Sequence, residues 1–142
     1  MRALVQRVLS ARVTVAGEVV AEIGPGMLVL LGIATADSEA DGVRLAGKLM
    51  NLRIFTDGQG RMNEPLGERE LLCVSQFTLY GDTRRGNRPS WGQAAASDQA
   101  RPLYEHFCEL TGAQRGRFGA DMQIALVNDG PVTLMLESPH PG

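Results

Sequence analysis

The chain has 142 residues, 44% of them apolar and 21% charged, with a formal net charge of −2 at pH 7. A chain of this length forms one domain, residues 1–142, and buries roughly 68–70% of its unfolded surface; its charge excludes the whole-surface basic field of non-specific nucleic-acid binders. Two cysteines without a CxxC, and no HExxH, give no disulfide framework and no metal-ligand spacing, and the longest apolar run, Met27 to Ala34, is far too short to span a bilayer.

No charged segment followed by a cleavable apolar stretch opens the chain, so a cytoplasmic protein with reduced thiols, no metal, no cofactor and no membrane partner is expected. Any contact with nucleic acid must then be local, and the arginines at 84–88 and 115–117 are the places for it.

Residues 2–16 alternate, with Val13 and Val15 against Arg12 and Thr14, and predict a strand. Ala16-Gly17-Glu18 turns it into a second strand, Val19 to Ile23, so the chain starts as a hairpin. Gly24-Pro25-Gly26 breaks the pattern, and Met27 to Ala34 follows as a continuous apolar strand, hence a central one. Asp37 or Ser38 caps a helix with Glu39 and Asp41 in its first turn, Val43, Ala46, Leu49 and Met50 at helical spacing, and an end near Leu52. Arg53 to Thr56 predicts a strand, Asp57 to Gly60 a turn, and residues 61–69 a loop around Pro65 and Gly67.

A second helix runs from Ser97 as cap to Thr111, with Leu103, Phe107 and Leu110 on one face and Gly112 as its stop. Pro102 in its second turn calls for a distorted first turn or a later start. Met122 to Val127 and Val132 to Leu136 predict two more strands joined by Asn128-Asp129-Gly130-Pro131, and the tail from Ser138 to Gly142 reads as frayed. Two helices against about seven strands predict a mixed α/β fold: a single domain with one mixed β-sheet and two helices packed on it.

The stretch Leu71 to Trp91 is the most informative. Leu71, Cys73, Phe77 and Leu79 point one way and Leu72, Val74 and Thr78 the other, which predicts an interior strand. Ser75 and Gln76 are two polar residues inside that run, and a buried hydroxyl and amide must be hydrogen-bonded or cost roughly 1–3 kcal/mol each. The strand leaves the core at Tyr80-Gly81-Asp82 and meets Arg84, Arg85 and Arg88. Polar atoms at a strand end beside three guanidiniums describe the floor and rim of an anion-binding cleft.

Acid–base side chains are scarce. Of two histidines, His140 lies in the tail and His106 on a helix with a core face, so neither a Ser-His-Asp nor a Cys-His arrangement can be assembled from the pattern. Cys73 reads as a small core hydrophobe and Thr78 as strand filler. An enzyme made of this inventory must rely on backbone dipoles, positioning and the substrate's own groups.

Ser75-Gln76-Phe77-Thr78-Leu79 and Asn128-Asp129-Gly130-Pro131-Val132-Thr133 resemble the SQFTL and NxGP[VF]T motifs of the D-aminoacyl-tRNA deacylases. The opening MRALVQRV, the GNRPSW segment and the Phe118/Met122 spacing are similar to the same family, so the resemblance spans the chain. It implies a homodimer, the sheets of two subunits joining in a barrel-like assembly, that hydrolyses the ester between a D-amino acid and the acceptor end of tRNA. It implies that Ser75, Gln76 and Phe77, followed by Thr78, form the aminoacyl pocket largely through their backbone. It further implies that Gly130 and Pro131, joined by a cis bond, screen chirality in the partner subunit's site, that Arg7 holds this pair, and that Phe118 and Met122 contact the terminal adenosine. The 2′-hydroxyl of the terminal ribose then assists the attack of water. Three alternatives remain beside it: a Thr78-nucleophile esterase, an editing enzyme for L-aminoacyl-tRNA, and a module that only binds tRNA ends.

Overall fold

The computed structural model describes residues 1–138. Its architecture follows from two strands that are apolar on both faces. Strand β1 (Arg2–Val15) and strand β2 (Glu18–Ile23) form the expected hairpin, turning through Ala16 and Gly17, both at positive φ. Strand β3 (Gly26–Gly32) runs antiparallel to the first half of β1. Helix α1 (Glu39–Met50), capped at Ser38, strand β4 (Phe55–Thr56) and strand β5 (Met62–Glu64) follow, and strand β6 (Glu70–Ser75) then joins β3 in parallel. Helix α2 (Ser97–Thr111) ends on Gly112 in the left-handed conformation, before the two-residue strand β7 (Gln114–Arg115) and strand β8 (Gln123–Glu137).

The main sheet has the order β2-β1-β3-β6-β7, with β8 along the other side of β1. It is mixed, and β2 approaches β6 and β7 so that the sheet curls towards closure. Period-two alternation sends Met27, Val29, Leu31, Leu71 and Cys73 into a core shared with the two helices. Their neighbours Leu28, Leu72 and Val74 enter a second core inside the curl, with Val8, Ala11 and Val13 of β1. Burial on both faces is why β3 and β6 read as continuous apolar runs.

Several expectations change in detail. Strand β6 stops at Ser75, and Phe77–Tyr80 forms a 3-10 turn where a continued strand was expected. The segment expected to be a loop around Pro65 contains β5, which pairs β4, so the strand expected over 53–56 shrinks to two residues. Val43 is exposed, and Leu45 takes the buried place on α1. The cap of α2 is Ala96, one residue before Ser97, and Pro102 sits inside the helix. Ser138, expected to fray, is buried against α1, while Pro139 to Gly142 lie outside the described residues.

The largest change is at the C-terminus. The two strands expected on either side of Asn128-Asp129-Gly130-Pro131 form one strand, β8, because both arms run antiparallel to β1. Val8 pairs with Asn128 and Gln6 with Thr133, so residues 129–132 bulge out opposite Arg7 alone. The chain continues in the same direction after the excursion, which a hairpin would not allow.

The closing contact of the chain generates a pH prediction. Ser138 Oγ donates to Asp41 Oδ1 at 2.5 Å, the Ser38 N–H to Asp41 Oδ2 at 2.9 Å, and Arg44 Nη2 lies 2.9 Å from Oδ1. The Ser138 bond, assisted by Ser38 and Arg44 and opposed by burial, holds the Asp41 carboxyl at about 2, below its ordinary 3.8. A depressed folded value means stability that is present above the unfolded value and lost as the pH falls towards 2. Ser138→Ala should therefore cost about 1.5–3 kcal/mol near neutrality, measured by urea unfolding. That penalty should shrink as the pH is lowered from 4 to 2, and a penalty independent of pH would contradict this account.

Candidate active site

The site begins where the ladder between β3 and β6 runs out. The Gln76 N–H donates to the Leu31 carbonyl at 2.8 Å as the last of these bonds, and β3 ends one residue later at Gly32. A Cβ on Gly32 would stand 3.0 Å from Leu79 Cβ and 3.1 Å from the Gln76 carbonyl oxygen, so glycine lets the 3-10 turn lie on the end of β3. Arg2 fixes that turn from the other side. Its Nη1 donates to the Leu79 carbonyl at 2.8 Å, and its guanidinium lies 4.5 Å from the centre of the Tyr80 ring.

Beside this end lies a cavity of about 580 Å³. Val74, Ser75, Gln76 and Phe77 form one wall, the small residues Ala94 to Ser97 with Ala100 another, and Phe118 to Met122 a third, with Ile33, Trp91 and Ile124 completing it. Phe77 is 54% exposed and meets Trp91 edge to face, with centroids 5.2 Å apart. A Cβ on Gly81 would lie 2.8 Å from the Trp91 ring, so that glycine admits the indole. Phe118 is held from two sides, by the Tyr104 ring at 5.7 Å and by the Arg101 guanidinium at 4.9 Å. Tyr104 in turn donates its hydroxyl to the Cys73 carbonyl at 2.8 Å, tying α2 to the strand that carries Ser75. Burial raises the Tyr104 hydroxyl well above its ordinary range, which keeps it a donor.

Chemically the cavity is quiet. Asp121 is the one carboxylate among its lining residues, and no histidine is among them. His106 sits half-buried on α2 away from the cavity, and His140 is outside the described residues. Burial pushes the Cys73 thiol up, which removes it as a nucleophile. Thr78 follows Phe77 but is not on the cavity wall, and its Oγ1 accepts a hydrogen bond from Gln76 Nε2. Among the described residues no cluster of His, Cys, Asp or Glu is suited to a metal ion. No helix of the described residues is long and apolar enough to cross a membrane.

The basic rim is smaller than expected. Residues 82–90 close into a loop through reciprocal backbone bonds of 2.8 Å between Asp82 and Ser90. Arg84 bonds bidentately to Asp82, at 2.9 and 2.7 Å, and this contact holds the Asp82 carboxyl at about 2. Arg85 and Arg88 are exposed on the same loop.

The sequence-derived residues fall into two groups. Ser75, Gln76, Phe77, Phe118 and Met122 meet in the cavity. Arg7, Gly130 and Pro131 meet one another elsewhere, with the Gly130–Pro131 bond cis and Arg7 Nη2 3.0 Å from where a Gly130 Cβ would be. None of the second group lines the cavity within one chain. The alanine wall and Asp121 were not foreseen; the run Ala94-Ala95-Ala96, too small to fill a core, is the signal that could have found the wall.

A sequence profile of D-Tyr-tRNA(Tyr) deacylases matches residues 4–137. A D-aminoacyl-tRNA deacylase of Myxococcus xanthus is 57% identical over 99% of this chain and 97% of its own length, and one of Chlorobaculum parvum is 53% identical over 98% and 99%. The solved structure of the c-Myc DNA Unwinding Element Binding Protein superposes with a TM-score of 0.93 at 41% identity, covering 99% of this chain and all of that one. With a matching profile over nearly the whole length and full-length relatives above half identity, the chain belongs to the D-Tyr-tRNA(Tyr) deacylase family.

Proposed function

We propose that this protein hydrolyses the ester bond of D-aminoacyl-tRNA, and of glycyl-tRNA, to free tRNA and the amino acid, acting in the cytoplasm as a homodimer. The observation that carries the reading is a cavity of about 580 Å³ built on the Ser75-Gln76-Phe77 strand end, in a chain whose full-length relatives are D-aminoacyl-tRNA deacylases. The 3-10 turn starts its ladder with the Leu79 N–H on the Gln76 carbonyl, so the N–H groups of Phe77 and Thr78 have no partner within the turn. Such donors suit an ester oxygen that gains charge as water attacks. Phe118 and Met122 offer an apolar ledge for the terminal adenine, with Ser75, Gln76 and Phe77 beneath the aminoacyl group.

Dimerisation supplies what one chain lacks. Gly130 and Pro131 bulge from β8 and do not line the cavity of their own chain, and β1 and β8 expose the apolar residues Leu9, Val127 and Met135. Val13 faces the other way and is buried in the chain's own inner core. A two-fold axis beside β8 would cover the exposed residues and carry each excursion into the opposite cavity. There the excursion rejects an L side chain by collision, and a D side chain or a hydrogen atom passes.

The test is hydrolysis of matched D-, L- and glycyl-tRNAs side by side. Release from the D and glycyl substrates with the L substrate left intact is expected, and comparable turnover of D and L would overturn the assignment. A module that only binds tRNA ends would cleave none of them.

The manner of catalysis has its own test. Because the Thr78 hydroxyl is engaged by Gln76 and no base stands beside it, Thr78→Ala should keep at least about a third of kcat/KM. A tRNA ending in 2′-deoxyadenosine and charged on its 3′ oxygen should react about 100-fold more slowly or less, since the neighbouring hydroxyl does the work. An inactive Thr78→Ala with a reactive deoxy substrate would establish Thr78 as the nucleophile instead.

A further inference from the structure

The excursion that carries Gly130 and Pro131 is four residues long against one residue of β1, and such a loop needs tethers to hold a fixed height above the sheet. Its base is closed by Asn128, whose Nδ2 donates to the Arg7 carbonyl at 2.9 Å and to the Val132 carbonyl at 3.1 Å. At its tip the contact is of another kind. Gly130 sits at φ +114°, and the space a Cβ would occupy is bounded by Val132 and by Arg7 Nη2 at 3.0 Å. The Arg7 guanidinium is therefore the wall behind the tip.

That wall must itself be held. Arg7 is 9% exposed, and Nη1 donates to the Ile54 carbonyl at 2.7 Å, which anchors one end of the fork. Nε is buried without an aligned hydrogen bond, and Asp129 Oδ2 lies 3.0 Å from it as an ion pair. A buried guanidinium without a counter-charge is costly, and Asp129 sits on the excursion itself. The pair thus links the tip to β1 through charge, while Asn128 links its base through hydrogen bonds.

We infer that Asp129 is a positioning residue for the chiral screen: its carboxylate fixes the Arg7 guanidinium against Gly130 and so sets where the tip stands. The inference rests on the deacylase reading for its consequence, and on the ion pair for its mechanism. An isosteric amide keeps the shape and removes the charge, so Asp129→Asn isolates the pair.

Two readouts separate the possibilities. In the full-length protein, the Arg7 Nε–Hε NMR signal should be protected from solvent exchange in the wild type and exchange at least about 10-fold faster in Asp129→Asn. The ratio of D- to L-aminoacyl-tRNA hydrolysis should fall about 10-fold or more in the same variant, with its melting temperature within about 2 °C of the wild type. Asp129→Glu should restore part of the ratio. Adding Asp129→Asn to Arg7→Ala should lower it no further, because the two residues act as one unit. An unchanged Arg7 signal, or an Asp129→Asn effect that adds in full to that of Arg7→Ala, would overturn the inference. Absence of D preference in the wild type would instead overturn the deacylase reading, with the Arg7 signal still deciding the ion pair.

Discussion

Strand β1 is the constraint on which the rest depends. Its first half lies between β3 and β8, and its second half between β2 and β8, so three strands take their register from one. Along it the inward face changes. Ala3 and Val5 belong to the helix-side core, Val8, Ala11 and Val13 to the core inside the curl, and Leu9 and Ser10, where the phase slips, are both exposed. A strand in perfect period-two register could not serve both layers from its odd positions. The slip that solves this problem is the register shift between Val8 and Ser10, which leaves Leu9 unpaired against β8 and directly follows the shift at which β8 loops out opposite Arg7. The same strand reaches the cavity end of β6 through Arg2, which holds the 3-10 turn by the Leu79 carbonyl and the Tyr80 ring.

What could be read from the sequence was what period and punctuation encode. The first hairpin, the central apolar strand, both helices and the Gly112 stop follow from side-chain spacing and from glycine's backbone freedom, and they stand where the pattern puts them. What could not be read depends on partners distant in the chain. The alternation of Leu71 to Leu79 looks like one strand, yet a strand continues only while a neighbour offers carbonyls and N–H groups, and β3 ends at Gly32. The Asn128 to Pro131 stretch has the composition of a hairpin turn. Only its pairing with β1 on both sides, Val8 with Asn128 and Gln6 with Thr133, makes it a bulge in a single strand. Ser138 likewise read as tail because its partner, Asp41, is 97 residues away.

The site was legible in a different manner. Ser75, Gln76, Phe77, Phe118 and Met122 came from motif resemblance, and the fold brings them around one cavity. The alanine wall carries no motif and shows itself only in three dimensions. The scarcity of acid–base groups was visible in composition, and it has a structural counterpart in a cavity whose lining holds one carboxylate and no histidine. Under the proposed function, a pocket so poor in reactive side chains leaves shape and backbone dipoles as its means of discrimination. The 75–80 turn and the Gly130 tip each rest against an arginine of β1: Arg2 donates to the Leu79 carbonyl, and Arg7, anchored on the Ile54 carbonyl, stands behind Gly130.

The central claim is that each functional site takes its floor from one subunit and its chiral screen from the other, and mixing two defective variants tests it directly. Ala96→Trp fills the cavity of its own chain, and Gly130→Val places side-chain atoms where Arg7 and Val132 leave no room. Each variant alone should retain little D-specific hydrolysis. Subunits mixed by co-expression should recover about a quarter of the wild-type activity, because half of the dimers are mixed and one of their two sites is intact. Activity of the mixture no greater than the mean of the two variants measured separately would contradict a shared site.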